Sequence, residues 1–175
     1  MKWRIILVAV LVTFGLSCHA NIAQSSLTRQ MTVNKMQYVM LLQPDELVSK
    51  RVLEASLLSR HLSNVQNIID VQFDNLPSDY VNQGFVILAL NDKGESRVWF
   101  DFDKKIDEKI IRQITQNVQA LSPDFVKSQS ILVAMAYSLG DGVFDRQMPD
   151  LQNWQPMLVL PDKPMQIDEI ILQNW

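Results

Sequence analysis

Apolar residues in this chain recur with two different periods, and the switches between them outline a fold. Met36 to Leu42, MQYVMLL, is an apolar run of strand length. Pro44-Asp45-Glu46 then marks a helix start. Proline suits a first turn, where its missing N–H costs nothing, and acidic side chains there face the positive end of the helix dipole. Leu47, Val48, Ala55, Leu58, Leu62 and Val65 follow at helical spacing, which predicts one amphipathic helix from Pro44 to near Gln66.

Ile69 to Phe73, IDVQF, alternates apolar with polar and predicts a strand, broken by Asn75 to Ser78 with its Pro77. The clearest unit comes next. Phe85–Leu90 and Ser96–Phe102 are β-rich runs on either side of Asn91-Asp92-Lys93-Gly94, and a glycine free to take positive φ makes this a hairpin. Asp107 to Leu121 is the second amphipathic helix, with Ile110, Ile114, Val118 and Leu121 as its stripe and Pro123 beyond its end. Ile131 to Leu139, ILVAMAYSL, is so evenly apolar that it suits a central strand.

From Gly140 the texture changes. Pro149, Pro156, Pro161 and Pro164 separate short apolar pieces, Met157–Leu160 and Ile167–Leu172, each fit only for a short edge strand. The order β-α-β-β-β-α-β predicts an α+β domain. It is an antiparallel sheet with two amphipathic helices packed on one face and a strand-rich, Pro-punctuated C-terminal tail.

The first twenty residues, MKWRIILVAVLVTFGLSCHA, have a basic start, an apolar core from Ile5 to Leu16 and small residues near the end. That is the plan of a cleaved secretory signal peptide. The core is about 12 residues, against roughly 20 for a membrane-spanning helix, so no retained transmembrane helix is expected. The organisation is then 1–20 signal peptide, 21–35 flexible lead segment and 36–175 a single domain, with 140–175 its extended tail. The address is the bacterial periplasm. A competing reading starts from Gly15-Leu16-Ser17-Cys18, which is similar to a lipobox with Gly where Leu is usual, and makes Cys18 the lipidated anchor of a membrane lipoprotein.

Cys18 is the single cysteine, so the exported domain has no internal disulfide and relies on packing. Loss of Lys2 and Arg4 leaves 14 of 16 basic side chains against 19 acidic ones, moving the formal charge from −3 to −5. Mild acidity argues against nucleic acid, which selects clustered Lys and Arg.

Candidate chemistry is sparse. With residues 1–20 removed, His61 is the one histidine left, which excludes a Cys/His zinc site; on its helix it reads as a solvated residue. Asp101, Asp103, Asp107 and Glu108 form the densest acidic group. A calcium loop needs oxygen ligands at regular intervals and a glycine at its bend, yet Lys105 and Ile106 fall at the fifth and sixth positions. Asp101 and Asp103 are read as exposed strand residues, and Asp107 and Glu108 as the start of the next helix. Five glycines and no G-x-x-x-x-G-K-[ST] loop argue against phosphate-cradling backbone. No catalytic residue, metal ligand or cofactor is assigned, and the eight methionines are read as packing.

One resemblance rests on Leu76 to Leu139. A Pro-containing lead (Leu76-Pro77-Ser78-Asp79-Tyr80) precedes Gly84, which opens a strand. An Asp-Lys-Gly turn, a second strand, an Ile-Asp-Glu helix start and a last apolar strand follow. The stretch resembles the C-terminal domain of TonB- and TolA-type periplasmic proteins. A long Pro-rich spacer and a kept anchor are not part of the pattern here, nor is the Ser-Gly pair usual after the hairpin. What the resemblance implies is therefore structural: such domains take partners as an added strand at a sheet edge.

The four letters LQNW close at Trp154 and again at Trp175, but their flanks differ, so they are not a tandem repeat. Trp154 and Trp175 are the candidate partner-binding residues; they either hold the tail on the domain or meet a partner. The function expected is a non-catalytic interaction module of the envelope, an adaptor, assembly factor or inhibitor whose partner is another envelope protein. The alternatives are a small exported enzyme using carboxylates and a lipoprotein anchored through Cys18.

Overall fold

A strand whose side chains are apolar on both faces belongs in the middle of a sheet that is covered on both sides. Two segments meet that description, and they lie side by side. The computed structural model describes residues 34–77 and 79–150. Within them run β1 (Lys35–Leu41), α1 (Asp45–Arg51), α2 (Ala55–Phe73), β2 (Asn82–Asn91), β3 (Ser96–Phe102), α3 (Glu108–Gln119) and β4 (Ser130–Leu139). The strands make one antiparallel sheet in the order β1-β4-β2-β3, with β4 and β2 central. The fold is α+β, and no helix among the described residues is long and apolar enough to cross a membrane.

Register sorts the side chains. Val86, Leu88 and Leu90 of β2 and Ile131, Met135 and Tyr137 of β4 face the helices. There they meet Leu58, Val65, Ile69 and Phe73 of α2 and Ile114 and Val118 of α3. Phe85, Ile87 and Ala89 with Leu132, Ala134 and Ala136 form a separate cluster on the opposite face. All six are fully buried. On β1 the register shifts between Met36 and Tyr38. That bulge lets Met36 join the helix-side core while Tyr38 packs with the second cluster.

Two sequence expectations fail here, for different reasons. The single helix from Pro44 is two helices, because Val52 leaves helical geometry and bridges to Val126. Leu53 N–H donates to Phe125 O at 2.8 Å and Lys127 N–H to Arg51 O at 2.7 Å. These long-range bonds take backbone groups that a continuous helix would use, and no local propensity encodes them. IDVQF is not a strand but the last turns of α2. Alternation would bury Ile69, Val71 and Phe73 together, yet Val71 is 61% exposed while Ile69 and Phe73 are wholly buried, four residues apart. Phe73 stacks edge-on against Tyr137 and Phe102, with ring centroids 5.3 and 5.8 Å away. A buried aromatic is worth about 1.5–3 kcal/mol, which outweighs the preference of so short a β-rich stretch.

The hairpin and second helix lie where the pattern placed them. Gly94 has φ +78°, and a side chain there would meet Ser122 Oγ at 2.8 Å. Asn91 Oδ1 accepts from Lys93 and Glu95 N–H, closing the turn. Asp107 caps α3 by accepting from Lys109 N–H at 2.7 Å. Asn34 and Lys35 are already held: β1 begins at Lys35, and Asn34 donates to Phe73 O and accepts from Gly140 N–H. The predicted tail strands beyond residue 150 lie outside the described residues.

The helical assignment of residues 69–73 is open to direct measurement. Phe73→Ala is expected to cost about 3–5 kcal/mol in urea unfolding, and Val71→Ala less than about 0.5 kcal/mol. Comparable costs at the two positions would mean that Val71 is buried and the segment extended.

Candidate functional site

Past β4 the chain turns at Gly140, with φ +69°, and residues 141–150 cross the end of the sheet on its second face. Gln83 and Asp145 tie this strap to β2 by a reciprocal pair: Gln83 Nε2 donates to Asp145 Oδ1 at 2.6 Å, and Asp145 N–H to Gln83 Oε1 at 2.9 Å. Phe144 then packs edge-on to Phe85 at 5.5 Å and to Tyr38 at 5.7 Å. The Tyr38 hydroxyl donates to Arg146 O at 3.0 Å. The Arg146 guanidinium lies 5.2 Å from the centre of the Phe85 ring.

That guanidinium ends on Asp101, which the register sets opposite Phe85 and so on the same face. Arg146 Nη2 pairs with Asp101 Oδ2, and Nη1 donates to Asp101 O at 3.0 Å and to Asp103 Oδ1 at 3.4 Å. Asp150 N–H donates to the same Asp101 Oδ2 at 2.6 Å. Asp101 is 1% exposed. The reading of Asp101 as an exposed strand residue is therefore wrong: β3 presents it to the face that the strap covers. A buried carboxylate needs such partners, because desolvation otherwise costs several kcal/mol. Asp103, two residues on, keeps half its side chain in solvent.

A cleft of about 370 Å³ opens on the opposite side of the molecule, between the start of α2 and the loop after α3. Leu53, Leu57 and Phe125 form its apolar wall, and Arg60, His61, Asn64, Ser122 and Asp124 its polar part. Ser122 Oγ donates to Asp124 Oδ1 and Gly94 O, so both side chains serve the turn. His61 is not solvated, as its place on the helix suggested. It is 7% exposed, with its ring 5.2 Å from that of Phe125. Its Nε2 has no hydrogen-bond partner among the described residues, and burial pushes its pKa below the ordinary 6.5. The ring is held neutral, as an apolar packing element.

One polar pair was missed by sequence reading. Asp70 of α2 and Tyr137 of β4 meet beneath the helix. Burial raises the pKa of both; the Asp70 charge makes ionisation of Tyr137 harder still, while the Tyr137 hydroxyl partly offsets the rise at Asp70. Gln66 Nε2 steadies the Asp70 carboxylate at 3.3 Å. Asp70 Oδ1 and the Tyr137 hydroxyl form no well-shaped hydrogen bond. The available signal was positional: Asp70 directly follows Ile69 in the apolar stripe, four residues after Gln66.

The structure thus separates the residues singled out in the sequence. Asp101 and Asp103 belong to the strap, His61 to the far cleft, and Asp107 to the α3 cap. Arg146, which organises the strap, carried no sequence signal. Trp154, Trp175 and Cys18 lie outside the described residues. Among the described residues no three His, Cys, Asp or Glu side chains converge as a metal site requires. No family model, curated protein or solved structure matches the chain.

Two outcomes are expected from this geometry. Arg146→Met strips the buried Asp101 of its cation and should cost about 3 kcal/mol in urea unfolding. Asp103→Ala, at a half-exposed position, should cost less than about 1 kcal/mol. For His61, a depressed pKa means that the folded state binds fewer protons than the unfolded chain below 6.5. Its stabilising contribution is complete above that pH and is lost on acidification. His61→Phe keeps a ring against Phe125 and removes the titration. Its thermal midpoint should therefore fall less than the native one between about pH 7.5 and pH 5.5. Asp70, raised and acting in the opposite sense, is common to both proteins and cancels.

Proposed function

We propose that the chain is an exported, non-catalytic protein-interaction module of the bacterial envelope. It acts as an adaptor, assembly factor or inhibitor. Its C-terminal segment, with Trp154 and Trp175, is the element that takes another envelope protein in the periplasm. The observation that supports this reading is the clamp of Asp101, Arg146 and Asp150. An ion pair whose carboxylate is wholly buried is a costly way to hold a loop. Here it fixes Asp150, the residue from which the sequence carrying both tryptophans continues, to the sheet. A recognition segment rooted rigidly at one end loses less freedom on binding than one that hangs free.

Tryptophan suits the contact, since it brings a large apolar face and an N–H donor to a partner pocket. The resemblance to TonB- and TolA-type domains points the same way, toward strand addition at a sheet edge. The edges available are β1 and β3. On β1, Lys35, Gln37 and Val39 face outward.

The test uses Trp175, the tryptophan farther along the chain from the clamp. Full-length protein and its Trp175→Ala variant are used to capture partners from a native envelope fraction. The reading expects a specific co-purifying protein whose recovery falls about tenfold or more in the variant, with the unfolding midpoint unchanged. Equal recovery would remove the segment as the binding element. An unfolded variant would show Trp175 to be core and overturn the proposal equally.

A further inference from the structure

The break between α1 and α2 does more than end a helix. Val52 bridges to Val126, and Leu53 N–H donates to Phe125 O at 2.8 Å. Those long-range bonds set Leu53 and Phe125 side by side, and with Leu57 they make the apolar wall of the cleft of about 370 Å³. Leu53 is left 55% exposed there. Its place in the wall is fixed by backbone bonds and not by a loose end of chain.

The polar lining is asymmetric. Leu57, Arg60 and Asn64 follow one another at three- and four-residue spacing along one face of α2. Among the described residues, neither Arg60 nor Asn64 has a hydrogen-bond or ion-pair partner. Across the cleft, Asp124 already accepts from Ser122 Oγ, which also reaches Gly94 O. His61 is buried and kept neutral by desolvation, so it adds no second charge, and its Nε2 has no partner among the described residues. The cleft therefore offers unused donors on the α2 side and an engaged acceptor on the other.

We propose that this cleft binds a small carboxylate with an apolar body, the carboxylate meeting Arg60 and Asn64 and the body lying on Leu53, Leu57 and Phe125. Size limits the ligand. Small-molecule sites run from roughly 300 to 1,000 Å³, and this one is near the lower end, so a phenyl or branched alkyl group suits it better than a large cofactor. Charge sets the orientation, since Asp124 repels the carboxylate toward α2, where Arg60 is the cation. A cationic ligand would face Arg60 and compete with Ser122 for Asp124. The site lies away from the strap and stands apart from the identity of any protein partner.

The test is a titration of the full chain with 3-phenylpropanoate, followed by NMR at the methyl groups of Leu53 and Leu57. Val71, exposed farther along α2, is the reference. Saturable shifts at Leu53 and Leu57 with none at Val71 are expected. 3-Phenylpropanamide, which has the same body without the charge, should bind about fivefold more weakly. Arg60→Gln should weaken the acid by about fivefold and leave the amide unchanged. Arg60 is exposed, so the unfolding midpoint of this variant should match the native one. Absence of saturation, equal affinity for acid and amide, or native affinity for the acid in Arg60→Gln would each overturn the proposal. Shifts shared by Val71 would mark non-specific association and overturn it as well.

Discussion

Everything in this molecule is subordinate to two neighbouring strands that are apolar on both faces. β2 and β4 pair over ten residues each, from Asn82↔Leu139 to Asn91↔Ser130, and nearly every side chain along them is buried. Such a pair cannot stand at an edge or face water on one side without exposing a large apolar surface. β1 and β3 therefore flank it. α2 and α3 cover one face. The other face has cover of its own, which the strap from Gly140 to Asp150 supplies at the Phe85 end.

The lid explains the one expensive electrostatic feature. Where the strap meets the sheet, the second-face position on β3 opposite Phe85 is an aspartate, in a place where an apolar residue would pack without desolvation cost. Asp101 becomes tolerable only because Arg146 and the Asp150 N–H reach it. The exchange is one of specificity. An apolar contact would let the strap slide along the face, whereas a buried carboxylate with two directional partners sets the strap's register on it. Among the described residues, the three buried polar atoms that lack good partners, on His61, Asp70 and Tyr137, do no such positioning. Their burial only shifts their titration, and the shifts of His61 and Asp70 act in opposite directions on stability at low pH.

Much of the frame was legible because it rests on local rules. The hairpin follows from Asn91 and Gly94, the α3 start from Asp107, and the central position of β4 from an unbroken apolar run. The misreadings share a cause, which is distance along the chain. The break at Val52 depends on Phe125 to Lys127. The helical state of Ile69–Phe73 depends on Tyr137 and Phe102. The burial of Asp101 depends on Arg146, 45 residues away, and that of His61 on Phe125. A motif scan looks for groups that could do chemistry, and it ranked the acidic cluster by proximity in sequence. The structure instead divides that cluster by position, with Asp101 inside β3 and under the strap and Asp103 past the strand's end and half exposed.

The double-sided burial also bears on how a sheet of this kind can serve as a binding platform. A partner that entered on the second face would have to displace apolar cover and disturb the strap held by Asp101. A partner added at an edge would leave both layers intact and would need only the unpaired backbone groups that any outer strand carries. β1 suits that role, because its outward residues are Lys35, Gln37 and Val39 and its bulge twists the strand locally. Lysine at an edge and a bulge within it are also the devices by which sheets avoid pairing with copies of themselves. The two faces are thus committed to stability, and the outer strands are where the sheet carries unpaired backbone groups.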